Sequence, residues 1–592
     1  MPEEPDTRWQ QRFTATELSL PRWADGAPHR LAFISTESGV RQVWSLDRTT
    51  GERRQVSNDE VGVEHVLVAP DGRIVWWFDA VGDEKGHWVA VPFGGGEPVP
   101  LVAGVPTGWS MGVALVRDTA AIGLATDEDY RAYVVAGNEP ARLVYQSPRP
   151  AGVGCSWPEG VGGLSSDASL LCIRHTEHGD IVHFALRVLD ARTGETIGDL
   201  VDPGRTLDPV AWSPTEEVLL FTSELGPFER PALWNPRSGE RRDLQVDLPG
   251  AVLPLGWFPD GSAILVRHEH EAVDSLFRVD ITSGRAAPVA EPGGEIEDAA
   301  VRPDGEVWLA VSKTSHPRRP ETGDGVPVVE TDGEPPPPGR PYRSWWFANP
   351  HGERIQAFIA TPEGAGPFPI VMHVHGGPEW HHRDRWEPEI QALVDAGFAV
   401  AQVNYRGSTG YGVAFRERLI GDPWFPESED VVACLDALVA EGLADDDRAF
   451  FAGWSWGGCL ACLNEGLNPE RWRAVFAGIP AGDFVAAHWA SMPPIRAYDA
   501  ALYGGDPTEK PELWRERNPM TYVDRAKAPL LVIAGQNDPR CPVEGITPFT
   551  DAVRDRNVDV RVHMYASGHH ANAVDEQVRH VGMILAHFLR HS

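Results

Sequence analysis

The sequence has 592 residues, a length that exceeds one ordinary hydrophobic core and suits two large domains or several small ones. Hydrophobic residues make up 42% and charged residues 23%, which is a globular composition and not a disordered one. The 86 acidic and 52 basic residues give a formal charge of −34, and such a surface repels nucleic-acid phosphates and anionic lipid head groups. Nucleic-acid and membrane partners are therefore the least favoured.

Cysteine content and the N-terminal sequence bear on the compartment. Six cysteines in a chain of this length are too few for a disulfide framework and favour a reducing environment. The opening sequence MPEEPDTRWQQ has neither the basic n-region nor the apolar h-region of a signal peptide, and no run of 18 apolar residues follows. These features predict a cytoplasmic protein without a membrane-spanning helix.

The first half of the chain repeats one phrase. After an N-terminal extension (1–24), residues 25–314 contain short β-type runs separated by Gly, Pro and Asp turns. An apolar run, a turn with Asp and Gly, and a second apolar run recur in VLVAPDGRIVWWF, LGWFPDGSAILVR and AAVRPDGEVWLAV. The repeats are spaced by 46, 47, 49, 48, 45 and 44 residues, anchored on Asp25, Asp71, Asp118, Asp167, Thr215, Asp260 and Asp304. Seven units of this period predict a seven-bladed β-propeller.

The second half has a different pattern. Residues 315–341 are rich in Pro and Gly and are predicted to be a linker. In residues 342–592, strand-like runs such as PIVMHVHG alternate with helical ones such as PEIQALVDAG. Such alternation predicts a doubly wound, mostly parallel sheet covered by helices. Together with the nucleophile motif described next, it predicts an α/β-hydrolase domain.

A nucleophile motif lies in this second half. Residues 453–457 fit G-x-S-x-G, follow the apolar strand 449–452 and precede a helix-like run. In that context the small residues let a sharp turn close and expose the serine hydroxyl. Ser455 is therefore the predicted nucleophile.

An acid and a base follow in the order that such a nucleophile requires. Asp538 lies in the polar loop that follows the hydrophobic strand 530–534, and a carboxylate there can orient an imidazole. His569 lies in the loop after the next strand and directly follows a glycine, with His570 as the alternative base. Ser455, Asp538 and His569 are thus predicted to form a catalytic triad.

Two backbone amides are predicted to stabilise the oxyanion. One is the amide of Trp456, the residue after the nucleophile, and the other is that of Gly377 in the HGGP loop. Three histidines near this loop invite a metal interpretation, but no carboxylate accompanies them at an established ligand spacing. We expect neither a metal nor another cofactor.

These motifs together resemble one known family. HGGP (375–378), NYRGSTGYG (404–412), GWSWGG (453–458), NDPRCP (537–542) and GHH (568–570), on a hydrolase that follows a propeller, resemble the prolyl oligopeptidase family of serine peptidases. The resemblance covers nearly the whole chain. HGGP, RGSTGYG and DPRCP look like the acylaminoacyl-peptidase and aminopeptidase-like branch, whereas Trp-Ser-x-Gly-Gly is closer to the dipeptidyl-peptidase branch. Trp456 and His570 depart from the commoner residues, which leaves substrate choice open.

The resemblance implies a serine peptidase that hydrolyses short peptides or aminoacyl amides near the N-terminus, with the propeller limiting substrate size. Aminopeptidase and acylaminoacyl-peptidase activities both fit, and the alternatives are a dipeptidyl-peptidase and an esterase or amidase acting on a small non-peptide molecule. Members of the family often assemble, so a homo-oligomer stays among the expectations.

Pocket residues are predicted from chemistry. A free substrate ammonium needs one or two carboxylates, whereas an acylated N-terminus needs none. Acidic loops of the propeller offer such carboxylates at Glu224, Glu229, Glu269 and Glu271. Aromatic residues suited to an apolar substrate side chain are Trp456, Phe484 and Trp489.

Overall fold

The structure is a computed structural model that describes residues 8–137, 139–155, 162–331 and 335–592. The first seven residues of the predicted N-terminal extension and residues 332–334 of the predicted linker lie outside the described residues. None of the helices in the described part of the chain combines the length and apolar composition that a membrane crossing requires.

The N-terminal part forms seven antiparallel blades in chain order, of which the second and third are joined into one eight-stranded sheet by pairing of β7 (Lys85–Val91) with β9 (Gly108–Val116), and this confirms the predicted seven-bladed propeller. The strands of blades 1 to 4 are β1 Arg22–Ala24, β2 Ala27–Ser35, β3 Gln42–Asp47, β4 Glu52–Gln55, β5 Val66–Val68, β6 Ile74–Phe78, β7 Lys85–Val91, β8 Val99–Pro100, β9 Gly108–Val116, β10 Thr119–Ala125, β11 Tyr130–Ala136, β12 Arg142–Ser147, β13 Ala151–Val153, β14 Leu170–His175, β15 Ala185–Asp190 and β16 Thr196–Leu200. Those of blades 5 to 7 are β17 Leu207–Trp212, β18 Leu219–Ser223, β19 Arg230–Trp234, β20 Arg241–Asp243, β21 Ala251–Trp257, β22 Ala263–His270, β23 Val273–Asp280, β24 Ala286–Ala290, β25 Glu295–Val301, β26 Val307–Lys313 and β27 His316–Thr322.

The ring closes through apolar packing between blades. Each pair of neighbouring blades shares a small hydrophobic cluster, such as the one that joins Ala32 of blade 1 to Trp76 of blade 2. Leu31 of blade 1 packs with Trp308 of blade 7, so the last blade meets the first. Burial of these faces between sheets, and not one central core, therefore holds the propeller together.

The edges of the propeller differ from the predicted boundaries. Strand β1 begins at Arg22, before residue 25, and β27 extends the propeller to Thr322, inside the segment predicted as a linker. The sequence of β27, HPRRPET, contains two prolines and no apolar alternation, which an edge strand tolerates because one side of it needs no ladder hydrogen bonds. We propose 22–322 as the extent of the propeller and the residues after it, up to 341, as the connector.

The C-terminal part is one eight-stranded sheet with helices on both faces, the predicted α/β-hydrolase architecture. Its strands are β28 Arg343–Ala348, β29 Arg354–Ala360, β30 Phe368–Val374, β31 Ala399–Asn404, β32 Ala444–Trp454, β33 Val475–Gly478, β34 Leu530–Gly535 and β35 Val560–Tyr565, arranged in the order β28-β29-β31-β30-β32-β33-β34-β35. All neighbours from β31 onward are parallel. The carboxyl ends of these parallel strands consequently lie along one edge of the sheet.

Helices cover both faces of this sheet. They are α1 Arg8–Phe13 from the N-terminal extension, α2 Pro388–Asp395, α3 Val413–Arg416, α4 Phe425–Ala440, α5 Trp456–Leu467, α6 Phe484–Ala490, α7 Pro493–Tyr503, α8 Pro511–Arg517, α9 Val543–Arg554 and α10 Val574–His591, with short 3₁₀ turns at Glu417–Leu419, Pro519–Thr521 and Val523–Arg525. Helix α1 packs against α2 and α10, and Arg12 pairs with Asp395 at 2.6 Å. Helix α1 of the N-terminal extension therefore docks on the hydrolase domain, whereas Leu18 and Leu20 of the same extension pack on the propeller.

Charged contacts join the two domains. Arginines of the hydrolase domain pair with carboxylates of the propeller: Arg383 with Asp274 at 2.8 Å, Arg416 with Glu224 at 2.6 Å, and Arg540 with Glu84 at 2.6 Å. The reverse pairing occurs at Glu417 of the hydrolase domain, which contacts Arg205 of the propeller at 3.7 Å. Such charge complementarity fixes the orientation of two docked surfaces more than it adds affinity. The mouth of the hydrolase, where its strands end, is thereby held facing the propeller.

Candidate active site

Ser455 lies at the sharp turn between β32 and α5. Its backbone has φ 54° and ψ −118°, a region that non-glycine residues rarely adopt. A Cβ atom at Gly453 would lie 2.6 Å from the carbonyl carbon of Gly457, and one at Gly457 would lie 2.3 Å from the carbonyl oxygen of Val374. Only glycines therefore let the turn close tightly enough to present the serine hydroxyl.

Ser455, His569 and Asp538 lie in hydrogen-bonding contact. His569 Nε2 lies 3.0 Å from Ser455 Oγ, and His569 Nδ1 lies 2.7 Å from Asp538 Oδ2. The three residues follow β32, β35 and β34, whose carboxyl ends share one edge of the sheet. The structure thus brings together the three residues that the sequence predicts as a triad.

The Asp538 carboxylate is buried and strongly hydrogen-bonded. Its Oδ1 accepts from the backbone N–H groups of Arg540 at 2.8 Å and Cys541 at 2.9 Å. Burial alone would raise the pKa of Asp538, but the nearby His569 and these hydrogen bonds outweigh it and hold the pKa below its usual value. An ionised carboxylate at this position fixes the imidazole with Nε2 towards the serine.

Gly377 and Trp456 line the cavity into which Ser455 opens. Within the described ranges, neither of their backbone N–H groups donates a hydrogen bond to another residue. Trp456 is the first residue of α5, where backbone N–H groups have no partner inside the helix. The preceding loop comes close to the nucleophile, because a Cβ atom at Gly376 would lie 3.2 Å from Ser455 Cβ. Two free donors are therefore available beside the serine hydroxyl.

The cavity around Ser455 has a volume of about 650 Å³ and one strongly aromatic wall. Trp424 and Trp456 stack with ring centroids 3.6 Å apart, and Phe484 lies 4.4 Å from Trp424. Trp489 does not share this wall and is 50% exposed. It lies five residues after Phe484 on α6, which places it about 140° around the helix axis, so its inclusion in the predicted pocket is not supported by its position.

Three of the four predicted propeller carboxylates line a second cavity of about 1100 Å³ between the two domains: Glu224, Glu229 and Glu269. Glu271 lies beyond the end of β22 in the hairpin turn, where its side chain is exposed and only its carbonyl oxygen is engaged, by Gln356. The two cavities share Arg385, His570 and Gln577 in their walls, so they adjoin each other.

Two further residues belong to this region, and sequence reasoning missed both. Arg416 binds Glu224 at 2.6 Å and Glu229 at 3.4 Å. Glu379, which directly follows the HGGP motif, lines the large cavity and has no hydrogen-bond or ion-pair partner among the described residues. Its position after that motif was the available signal for Glu379, whereas nothing in the sequence pairs Arg416 with a carboxylate 192 residues away.

A propeller loop packs against the loops that carry Asp538 and His569. Asn537 Nδ2 donates to the carbonyl oxygen of Val81 at 2.7 Å, and Arg540 binds Glu84 through two nitrogens at 2.6 and 3.0 Å. A Cβ atom at Gly82 would lie 2.4 Å from the backbone nitrogen of Gly568, next to His569. The placement of the base therefore depends on how the propeller docks.

A buried carboxyl lies behind the aromatic wall. Glu427 on α4 is fully buried, and its Oε1 accepts from Trp456 Nε1 at 3.3 Å. Burial raises the pKa of Glu427 to about 8, because removal from water disfavours the charged form. The wall of the cavity thus rests on a carboxyl that is protonated below about pH 8.

Comparisons with known proteins agree on the family. Residues 384–592 match the family model of the prolyl oligopeptidase family of peptidases. The human acylamino-acid-releasing enzyme is 27% identical over 353 residues, covering 54% of this chain and 47% of that protein. Dipeptidyl aminopeptidase BIII of Pseudoxanthomonas mexicana is 25% identical over 388 residues, covering 60% of this chain and 54% of that protein. The chain thus spans about half the length of these curated relatives.

A solved structure matches almost the whole chain. A puromycin-hydrolyzing peptidase of Mycobacterium tuberculosis superposes with a TM-score of 0.77 and 20% identity, covering 99% of this chain and 96% of that one. At this identity the likeness concerns the fold, and it extends over both domains.

Substitution of Gly82 by alanine should loosen the loop around His569. Its added Cβ would force the propeller away from Gly568, so we expect amide exchange in residues 566–573 to become about 10–100-fold faster. Hydrogen–deuterium exchange mass spectrometry measures this. Gly72→Ala is the matched control, since Gly72 has φ +86° against +88° for Gly82 but no atom within 4 Å of its added Cβ. Equal exchange rates in Gly82→Ala and Gly72→Ala would contradict the dependence of the His569 loop on its contact with the propeller.

Glu427→Gln should stabilise the protein increasingly as pH rises. The folded-state pKa is raised, so between about pH 4.5 and 8 the folded protein keeps a proton that the unfolded chain has lost, and stability falls across that window. Glutamine retains the acceptor for Trp456 and cannot titrate. We expect the unfolding free energy of Glu427→Gln, relative to that of the wild type, to grow by about 1.4 kcal/mol per pH unit in this window, as measured by urea unfolding. The exposed Glu128→Gln is the control, and parallel pH profiles for Glu427→Gln and wild type would refute the argument.

Proposed function

We propose that the chain, whose residues 384–592 match the prolyl oligopeptidase family model, is a serine peptidase that cleaves short peptides or aminoacyl amides near the N-terminus through Ser455, His569 and Asp538. The observation that carries this proposal is the His569 ring, which contacts Ser455 Oγ with one nitrogen and Asp538 with the other. That arrangement has one well-understood chemical use, the activation of a serine hydroxyl for acyl transfer.

The mechanism follows from these contacts. His569 takes the proton as Ser455 Oγ attacks the scissile carbonyl carbon, and Asp538 stabilises the imidazolium that forms. The amides of Gly377 and Trp456 donate to the oxyanion of the tetrahedral intermediate. His569 then protonates the leaving amine, and a water molecule, deprotonated by His569, hydrolyses the acyl-enzyme and releases Ser455.

The size of the substrate is limited by the propeller in this proposal. Ser455 opens into a cavity that adjoins the space between the two domains, and both domains supply the walls of that space. A short or extended peptide fits such a space, whereas a folded protein does not. The aromatic wall of Trp456 and Phe484 suits an apolar substrate side chain.

The charge of the interdomain cavity favours a free substrate N-terminus over an acylated one. Arg416 lies 2.6 Å from Glu224 and 3.4 Å from Glu229, and Glu379, which lines the same cavity, acts electrostatically on the same guanidinium. Three carboxylates of this cavity thus act on one arginine. Oxygen Oε2 of Glu229 and the carboxylate of Glu379 have no partner within the described part of the chain.

Glu379 is suited to accept a cation. The residue is solvent-accessible and lines the interdomain cavity, where the surrounding protein displaces water and raises the pKa of its carboxyl. Ionisation is then favoured by any cation that enters. It lies two residues after Gly377, on the loop that contributes the proposed oxyanion donor. An α-ammonium held there can direct the first peptide bonds of a substrate towards Ser455.

A substrate panel tests the peptidase proposal. We expect hydrolysis of aminoacyl p-nitroanilides, and Ser455→Ala should lower kcat by at least about 10³-fold while leaving the fold unchanged by circular dichroism. N-acetyl-aminoacyl and dipeptidyl p-nitroanilides, together with p-nitrophenyl esters, complete the panel. Turnover of esters alone would show that the protein is an esterase and not a peptidase. Full activity of Ser455→Ala would overturn the mechanism.

Glu379→Gln tests the recognition of a free N-terminus. Loss of one charge-assisted hydrogen bond should reduce kcat/KM for aminoacyl p-nitroanilides about 10–100-fold and leave that for p-nitrophenyl esters without an amine unchanged. Glu271→Gln, which changes an exposed carboxylate outside the cavity, is the matched control. A wild-type preference for N-acetylated substrates would reverse the assignment in favour of an acylaminoacyl-peptidase.

A further inference from the structure

A second group of polar side chains converges beside the loop that carries His569. His563 lies on β35, before the loop, and Glu576 and His580 lie one turn apart on α10, after it. His563 Nε2 lies 2.9 Å from Glu576 Oε1, and His580 Nε2 lies 3.1 Å from the same oxygen. All three donor atoms lie within 4.8 Å of one another.

We propose that His563, Glu576 and His580 form a binding site for a divalent transition-metal ion of the zinc type. Two imidazole nitrogens and one carboxylate oxygen suit zinc and its neighbours, whereas magnesium and calcium prefer oxygen ligands throughout. Ligands of tetrahedral zinc are about 3.3 Å apart for metal–ligand distances of about 2.0 Å. The separations of 2.9 and 3.1 Å between the two histidine nitrogens and Glu576 Oε1 are slightly shorter than this, so a small outward movement of the carboxylate brings both to the zinc spacing.

The surroundings fit such a site. The His580 side chain is 4% exposed and those of His563 and Glu576 are 22% and 21% exposed, so one side is packed and the other admits an ion and a water ligand. The rings of Tyr565 and Trp454 pack around His580 at 5.0 and 6.0 Å. An apolar shell of this kind holds the imidazole in place and limits competition from water.

The ion would fasten both ends of the loop that contains His569. The site joins the strand before the loop to the helix after it, and Tyr565, which packs on His580, donates through its hydroxyl to the carbonyl oxygen of His569 at 3.1 Å. Closing a loop at its two ends lowers its conformational freedom. Metal binding should therefore stabilise the segment that carries the proposed base.

Zinc titration of the chelator-treated full chain tests the site. We expect one equivalent to bind by calorimetry, and His563→Gln to weaken the affinity at least about 100-fold, more than loss of an outer-shell partner costs. His351→Gln is the matched control, because His351 forms a histidine–glutamate pair of the same 2.9 Å length with Glu429. Absence of binding by the wild type, or unchanged binding by His563→Gln, would overturn the proposal.

The test must separate this site from the triad. Asp538, Cys541 and His569 also place donor atoms within 4.8 Å of one another. Cys541→Ser should leave the zinc affinity unchanged, and cobalt in place of zinc should give tetrahedral visible bands without a thiolate charge-transfer band. Binding that is lost with Cys541, or a thiolate band, would assign the ion to the triad.

Amide exchange tests the stabilisation of the loop. Zinc should slow amide exchange in residues 566–573 of the wild type and not of His563→Gln. Equal exchange rates in the wild type with and without zinc would refute this stabilisation.

Discussion

The loop that carries His569 is held by backbone contacts that only glycine allows. A Cβ atom at Gly535 would lie 2.0 Å from the carbonyl oxygen of Gly568, and one at Gly568 would lie 1.6 Å from that of Gly82. Gly535 belongs to the hydrolase sheet and Gly82 to the propeller, so Gly568 lies between the two domains. Contacts this close prevent Gly568 from shifting relative to either domain, because packed protein interiors are nearly incompressible. The position of the base is consequently defined only when both domains are docked.

Close contacts that only glycine allows also shape the turn at the nucleophile, and they explain why the site could be predicted from the sequence. Gly453 and Gly457 are required within four residues of each other, so the turn at Ser455 leaves a local signature. Asp538 and His569 each lie in the loop within four residues of the end of a strand, which is again local information. The propeller could be counted because its turn phrase repeats seven times. Features encoded in neighbouring residues were therefore predictable.

Features that depend on distant residues were not. Glu269 and Glu271 are two residues apart, yet the end of β22 at His270 separates a buried carboxylate from an exposed one. Strand β27 contains two prolines and is recognisable only by its pairing with β26. Arg416 acquires its meaning from Glu224 and Glu229 of the other domain. A single sequence carries no record of which strand ends and loops meet across a domain interface.

The formal charge of −34 has a local counterpart at that interface. The hydrolase domain supplies Arg416 and the propeller supplies Glu224 and Glu229, and the carboxylates outnumber the arginine. Under the proposed function this excess is useful, because burying like charges costs free energy that an entering ammonium recovers. Substrate binding and domain docking would then favour each other, since the ammonium relieves the repulsion between carboxylates that docking brings together. Docking in turn fixes Gly568 and His569 through the contact with Gly82. The charge of the acidic cavity and this glycine contact would therefore both determine how His569 is placed beside Ser455.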